Sequence, residues 1–440
     1  MTDPQAVTQV HDSSVQPHNV SWREALKFWW WLGCMSFGGP AGQIALMHEE
    51  LVVRRRWMSE KRYLHALNYC MLLPGPEAQQ LATYMGWLMH GTRGGIAAGA
   101  LFVLPSLVLL IVLSWAYTAW GQHPWGQALL WGLKPAVTAL VLQAAHRLAL
   151  RTLKARWLWV LAVLALLGML WGLPVAMIIL GAAATGYVVS RQALSPPAPD
   201  AKAASPTPVS SSAPAWLDDD TPPPPHTHYS HPRLVRALAI GVGLWALSLG
   251  LIALVFGLGH TLTHMGGFFT QAALLTFGGA YAVLPLVTQA AVVHYGWLTA
   301  AQMMDGLALG ESTPGPLIMV LQFVGFMGAL REAGWTMPLL AGTAGGLLAT
   351  WVTFAPCFLW IFAGAPWIAR LTAAPRLSGA LRAITAAVVG VIANLSIWFA
   401  AHVFFATVTR IDSFPFHMIL PDPSSFNAIP GLIALASAYL

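Results

Sequence analysis

The chain has 440 residues, of which 57% are apolar and only 9% charged, and its mean hydropathy is +0.63. Too little polar surface remains to cover a water-soluble globule of this length, which excludes soluble enzymes and binding modules and implies an integral membrane protein. The net charge of +6 does not indicate nucleic acid, because Lys and Arg cluster at the ends of apolar runs, where they act as topology signals.

Residues 1–20 are polar and lack a basic stretch followed by an apolar core, so they read as a disordered tail with no cleaved signal peptide. Ser21 with Glu24 forms a capping box that starts a helix at Trp22, running through Trp29, Trp30 and Trp31. Gly38-Gly39-Pro40 interrupts it, because two glycines and a proline remove helix propensity and a backbone donor. A second helix restarts near Ala41 and leaves by His48-Glu49-Glu50 toward a basic cluster, Arg54, Arg55, Arg56, Lys61 and Arg62, expected on the cytoplasmic side. The next apolar stretch, Leu64 to Met89, is broken by Pro74-Gly75-Pro76. An unbroken helix from Gly95 to Trp120 follows, then a turn at Gly121 and Pro124, and a helix from about Lys134 to His146. Arg147, Arg151, Lys154 and Arg156 form a second basic cluster. If both broken segments crossed the bilayer, the two clusters would fall on opposite sides; if both turn back as re-entrant hairpins, they share one side. The charge rule favours hairpins.

Helices over Leu158 to Trp171 and Pro174 to Val189 precede a Pro/Ser-rich segment with an Asp218-Asp219-Asp220 run. Residues 191–233 read as a disordered cytoplasmic linker, and His226, His228 and His231 within it suit a solvated segment better than a metal site. Beyond it, after a helix from Leu234 to Leu258, the chain repeats itself. Phe37-Gly38-Gly39 returns as Phe277-Gly278-Gly279, Trp57 as Trp297, and Pro74-Gly75-Pro76 as Pro314-Gly315-Pro316, each at an offset of 240. Three anchors in one register define two copies of a unit, residues 21–190 and 234–440. The loop Thr288 to Ala301, equivalent to the first basic cluster, has no Lys or Arg, while Arg370, Arg376 and Arg382 precede the helix equivalent to the one at Lys134. Opposite charge bias predicts copies inverted in the membrane. The expected fold is therefore an all-α polytopic membrane protein of two inverted-topology repeats, with helices broken at the Gly-Gly and Pro-Gly-Pro motifs. The end, Asn427 to Leu440, reads as a short apolar half-crossing, and Cys34, Cys70 and Cys357 as buried thiols without metal-ligand spacing.

Polar breaks at membrane depth are tolerated only where protein or a cavity surrounds them. Four in inverted pairs predict an interior polar site, as in secondary transporters. A restarted helix offers free N–H groups and the positive end of its dipole, so the site should take an anion. Glycines at 38, 39, 75, 278, 279 and 315 leave room for an oxygen, with Pro74 and Pro314 in the turns and Pro40, Pro76 and Pro316 at the restarts. Taken singly, each motif could equally be a packing kink. Gln79, Gln80, Ser312 and Thr313 add uncharged donors, and Lys134 fits either a cavity wall or an interfacial position. Glu77 and Glu311 are proton-coupling candidates, and His65 and Asp305 stand at equivalent positions. No metal or other cofactor is called for.

The run Phe37-Gly38-Gly39-Pro40, Trp57, Leu73-Pro74-Gly75-Pro76, Gln80-Leu81-Ala82-Thr83-Tyr84 and Phe102-Val103-Leu104-Pro105-Ser106 resembles the N-terminal domain of the chromate ion transporter family. Thr276-Phe277-Gly278-Gly279, Leu284-Pro285, Gly296-Trp297 and Thr313-Pro314-Gly315-Pro316 resemble the C-terminal domain of its two-domain members. The resemblance implies efflux of chromate through the inner membrane, with sulfate as mimic or competitor, resistance to chromate, and a homodimer as an open alternative to a monomer. Glu311 departs from the family pattern, where an uncharged residue is expected. An intramembrane lipid-phosphate enzyme on a similar scaffold is the alternative. It would need a nucleophile and a phosphate-binding arginine beside the turns, where the chain offers Glu77-Ala78-Gln79-Gln80 and Leu317-Ile318-Met319.

Overall fold

Ser21 caps the first helix as its side chain requires, its hydroxyl oxygen accepting from the Glu24 N–H at 3.3 Å. In this computed structural model, which describes residues 19–121, 123–192, 215–222, 224–227, 230–365, 375–413 and 416–439, that helix is α1, Trp22–Met35. After the glycine break come α2, Gly39–His48, a π-helical turn over Glu49–Arg54, and α3, Glu60–Cys70. The Pro-Gly-Pro break leads into α4, Glu77–Trp120, itself two helices, because His90 (φ −134°) and Gly91 (φ 65°) leave helical geometry and separate an arm ending at Met89 from a long span. Then follow α5, Pro124–Thr152, α6, Arg156–Leu170, and α7, Val175–Gln192. The second copy comprises α8, His231–Phe256, α9, Thr261–Leu275, α10, Leu284–Thr288, a π-helical turn Gln289–His294, and α11, Ala300–Ser312. It continues through α12, Val320–Glu332, α13, Pro338–Gly364, α14, Pro375–Phe404, and α15, Ala428–Tyr439.

Five helices among the described residues are long and apolar enough to cross a bilayer: α4, α5, α8, α13 and α14. The chain is an all-α polytopic membrane protein. No residue of α8 is buried within the chain, and Leu247 and Leu254 are 68% and 83% exposed, so this helix leaves its apolar surface uncovered by the other described residues.

Helix length decides what the broken segments do. At 1.5 Å per residue, α1 and α3 measure about 21 and 17 Å, short of the ~30 Å of hydrocarbon. Their outer ends meet. His90 Nε2 donates to the Val20 carbonyl at 3.1 Å, Trp22 lies edge-on to His90, and Phe28 of α1 packs edge-on against Trp57 at the exit from α2. Both broken segments thus return to the side they left, as hairpins. In the second copy His260 meets the Ala333 carbonyl at 3.2 Å, and Arg331 donates to the Trp297 carbonyl at 3.3 Å.

The repeat extends to backbone detail. Arg55 N–H reaches the Glu50 carbonyl at 2.9 Å, and Tyr295 N–H, 240 residues on, reaches Ala290 at 2.8 Å. Ser59 caps α3 through Arg62 N–H, and Thr299 caps α11 through Gln302 N–H. Each re-entrant arm lies on the following span glycine to glycine: a Cβ on Gly94 would stand 2.2 Å from the Gly86 carbonyl, and one on Gly345 2.3 Å from the Gly325 carbonyl. Only small residues allow backbones that close.

The structure corrects four expectations. The loop expected over Thr288 to Ala301 begins as the π-helical turn. The helix expected from Lys134 to His146 runs from Pro124 to Thr152, because a proline at the first turn needs no N–H partner. Before α15 the chain forms an antiparallel hairpin, Val408–Ser413 with Phe416–Pro421, where an all-helical chain was expected. The linker is not solvated throughout: Leu217 is 5% exposed and forms a parallel bridge with Met58, since Trp216 and Leu217 bury apolar surface that the flanking polar residues cannot. Residues 1–18 of the tail, 193–214 of the linker, His228 and Arg370 lie outside the described residues.

Candidate functional site

The four breaks meet at the centre, and they meet crosswise. Gly75 N–H donates to the Thr276 carbonyl at 2.7 Å, and Gly315 N–H donates to the Ser36 carbonyl at 2.8 Å. Ser36 and Thr276 are equivalent, as are Gly75 and Gly315, so the Pro-Gly-Pro turn of each copy joins the Gly-Gly break of the other. A residue pair and its exchanged counterpart in contact are the signature of a two-fold relation.

This geometry changes what the turn glycines do. Gly75 (φ 121°) and Gly315 (φ 108°) need positive φ, and they are packed as well. A Cβ on Gly75 would stand 2.7 Å from Cys357 Sγ, and one on Gly315 2.4 Å from Ser106 Cβ. Their own N–H groups are spent on the joint. The unspent donors lie one step further on, in the first turns of α2 and α4 and at Leu317, next to the N-caps Gly38, Pro76 and Pro316. Gly39, which with Pro40 opens α2, faces the Tyr281 hydroxyl, 3.7 Å from where its Cβ would be. Gly279 faces a Glu77 carboxylate oxygen at 3.9 Å by the same measure, and its neighbour Gly278 packs on Thr385.

Side chains around the joint carry polar atoms with no protein partner. Gln80 Nε2 donates to the Pro74 carbonyl at 2.7 Å, and Gln43 Nε2 to the Gly315 carbonyl at 2.6 Å, leaving both amide oxygens free, together with the Ser106 hydroxyl. Gln43 and Ser106 escaped the sequence reading because nothing local marks them; only the fold brings them to Gly315. Ser312 and Thr313, beside Pro314, spend their hydroxyl protons on the Ala308 and Gly310 carbonyls. The Tyr281 hydroxyl donates to Glu311 at 2.7 Å within the second copy, whereas Glu77 of the first copy lies against the second copy's Gly279.

Two vestibules flank the joint. One, about 830 Å³, is lined by Tyr117, Lys134, Thr299, Gln302, Asp305 and Arg331. Lys134 is not a free cation there: its ammonium pairs with Asp305 at 2.9 Å, and Asp305 also accepts from the Tyr117 hydroxyl at 2.9 Å. Arg331, which no local motif singles out, lines the same wall. The other vestibule, about 350 Å³, lies beside Lys61, Arg62 and His65. His226, outside the spans, donates to the Trp87 carbonyl at 2.7 Å, and burial holds its imidazole below the ordinary histidine range. Among the described residues no group of three or more His, Cys, Asp or Glu could hold a metal ion.

Comparison with known proteins agrees with this architecture. The chromate transporter profile matches residues 23–187 and 263–440, leaving out the linker and α8. The chain is 29% identical to a probable chromate transport protein of Synechococcus elongatus, over 90% of this chain and 87% of the relative. It is 32% identical to the chromate transport protein of Pseudomonas aeruginosa, over 83% and 78% of the two chains, and 27% identical to that of Cupriavidus metallidurans, over 84% and 80%. No solved structure matches. With a family profile across both repeats and relatives aligned over most of their length, the chain belongs to the chromate transporter family.

Proposed function

We propose that this protein exports chromate from the cytoplasm across the inner membrane, that sulfate competes for the same site, and that export confers chromate resistance. The observation that carries the reading is the crosswise joint, which gathers the N-termini of restarted helices and the unpartnered Ser106 hydroxyl, all hydrogen-bond donors, between two vestibules. Helix N-termini favour a compact oxyanion and read its charge and oxygens rather than its central atom, so chromate and sulfate are bound alike. A cell's inside-negative potential favours outward movement of a dianion by roughly 4.6 kcal/mol per 100 mV, at roughly 2.3 per charge.

The inverted repeat belongs to the same proposal. The first copy's hairpins open beside His90, and the second copy's beside Tyr117 and Gly121, about 40 Å further along α4 at 1.5 Å per residue. Inverted copies with a site at their crossing provide alternating access. In a cysteine-free protein, single cysteines at the exposed positions Lys61 and Thr299 are expected to react with an impermeant thiol reagent from opposite faces, Lys61 from the cytoplasm. Labelling of both from the periplasm in intact cells would refute the inversion.

Radiolabelled chromate uptake into inverted vesicles, with potential and pH gradient imposed separately, tests the transport reading. Glu77→Gln and Glu311→Gln should each flatten the pH dependence of uptake more than they change half-saturation, because each carboxylate borders the joint and, among the described residues, neither lies within salt-bridge distance of a Lys or Arg. Two variants with the parent's pH profile would remove both carboxylates from coupling.

A further inference from the structure

The two vestibules are pseudo-equivalent: Ser59 and Thr299 cap the helices that border them, and His65 corresponds to Asp305. Beyond size, they differ in what covers them. The vestibule at Thr299 is lined by helices and the turns between them, whereas the one at Ser59 is roofed by Asp219, Pro224 and Thr227 of the linker. The roof is anchored by folded contacts. Trp216 N–H donates to the Arg56 carbonyl at 3.0 Å, Leu217 N–H to Trp57 at 3.1 Å, and Ser59 N–H to Leu217 at 3.1 Å. Trp216 Nε1 donates to Asn19 at 2.6 Å, and the Arg62 guanidinium donates to the Thr221 carbonyl.

What the roof places underneath is an anion. The Asp219 carboxylate accepts from the Ser59 hydroxyl at 2.7 Å, at the positive end of α3 and on the wall that carries Lys61, Arg62 and His65. Glu60, the acidic residue of that helix end, is held away by His48 at 2.6 Å. From this point α3 runs about 17 Å to the Pro74-Gly75 turn at the joint. Asp218 is spent within the roof, accepting from the Ala215 and Asp219 N–H groups, so Asp219 is the carboxylate presented to the basic wall.

We propose that the basic vestibule at Lys61, Arg62 and His65 is the access site for the oxyanion on the linker side, and that residues 215–222 and 224–227 form an acidic latch over it. In the closed state Asp219 takes the place of a substrate oxyanion. The latch rests on the transport reading above, and it makes this face of the protein gated while the opposite face stays open.

Two measurements on the full-length protein test it. In a cysteine-free background, Met58→Cys with Leu217→Cys joins the bridged pair; the disulfide should reduce chromate uptake at least tenfold, with recovery after reduction and removal of the reductant. Asp219→Asn with Asp220→Asn keeps the shape of the latch and removes its charge. It should lower the half-saturation concentration for chromate about two- to fivefold at low ionic strength, the range of partly exposed charge pairs, and the difference should vanish near 1 M salt, where screening acts within ~3 Å. A cross-linked protein that transports at the reduced protein's rate, or a neutralised latch with the parent's half-saturation, overturns the latch. A parent protein that moves neither chromate nor sulfate overturns the transport reading instead.

Discussion

Gly315→Ala is expected to abolish chromate transport and to lower the yield of folded protein, and to do so more severely than Gly75→Ala. Both positions have positive φ, which costs an L-residue roughly 1–2 kcal/mol. They differ in what the new methyl meets. At Gly315 it stands 2.4 Å from Ser106 Cβ, an atom fixed to the backbone of α4, whereas at Gly75 it meets Cys357 Sγ and Gln80 Nε2 at 2.7 and 2.8 Å, both ends of side chains that can turn. Overpacking that cannot relax adds about 1–3 kcal/mol, and the Gly315 to Ser36 hydrogen bond, about 0.5–1.5 kcal/mol, is strained with it. The sum is a large part of the roughly 5–15 kcal/mol that holds a native chain together. Ser106→Gly on the Gly315→Ala background removes the clash but not the φ cost, so it should restore part of the folded yield. Thermal melting in detergent and vesicle uptake read both effects. A Gly315→Ala protein with the parent's melting temperature and uptake would show that the crosswise joint is not a rigid element of the transport path.

That joint marks the boundary of what the sequence could tell. The breaks themselves were legible, because Gly38-Gly39-Pro40 and Pro314-Gly315-Pro316 cannot continue a helix in any context. So were the hairpins of the first copy, since Arg54 and Arg147 constrain topology without reference to packing. Pairing of Gly75 with Thr276 and of Gly315 with Ser36 was not legible, because it depends on how two distant segments cross. The sequence marks these glycines only as room for an oxygen; that the N–H of each is spent on a carbonyl of the other copy is visible in the fold alone. The latch escaped for a different reason: a Pro/Ser-rich composition conceals Trp216-Leu217, and two apolar residues suffice to dock a segment when a partner backbone stands ready at Arg56 and Trp57. Lys134 stood out in the sequence as a cation at either a cavity wall or an interface, but its partner Asp305 lies 171 residues away in the other copy, and no spacing rule connects them.

Lys134→Ala should cost about 3 kcal/mol of stability and most of the uptake, and the double variant Lys134→Ala, Asp305→Ala should recover a substantial part of both. Lys134 on α5 and Asp305 on α11 tie the two copies together at the open vestibule, with side chains 20% and 7% exposed. Removing the lysine leaves a buried carboxylate whose remaining support among the described residues is the Tyr117 hydroxyl, and an uncompensated buried charge costs about 3–5 kcal/mol; the low end applies because the vestibule is open to solvent. Removing both partners eliminates the stranded charge, so the two losses should not add, and the departure from additivity measures the pair. The same cycle decides between two roles for Lys134. If it holds the copies together through Asp305, the double variant transports chromate with near-parental half-saturation. If it is instead a ligand for the dianion, stability returns in the double variant while half-saturation stays raised by an order of magnitude or more, as expected on loss of a charge-assisted hydrogen bond of roughly 1.5–3 kcal/mol. The ion pair at 2.9 Å favours the first outcome, and it leaves Arg331 as the cation on that wall through which an oxyanion would pass.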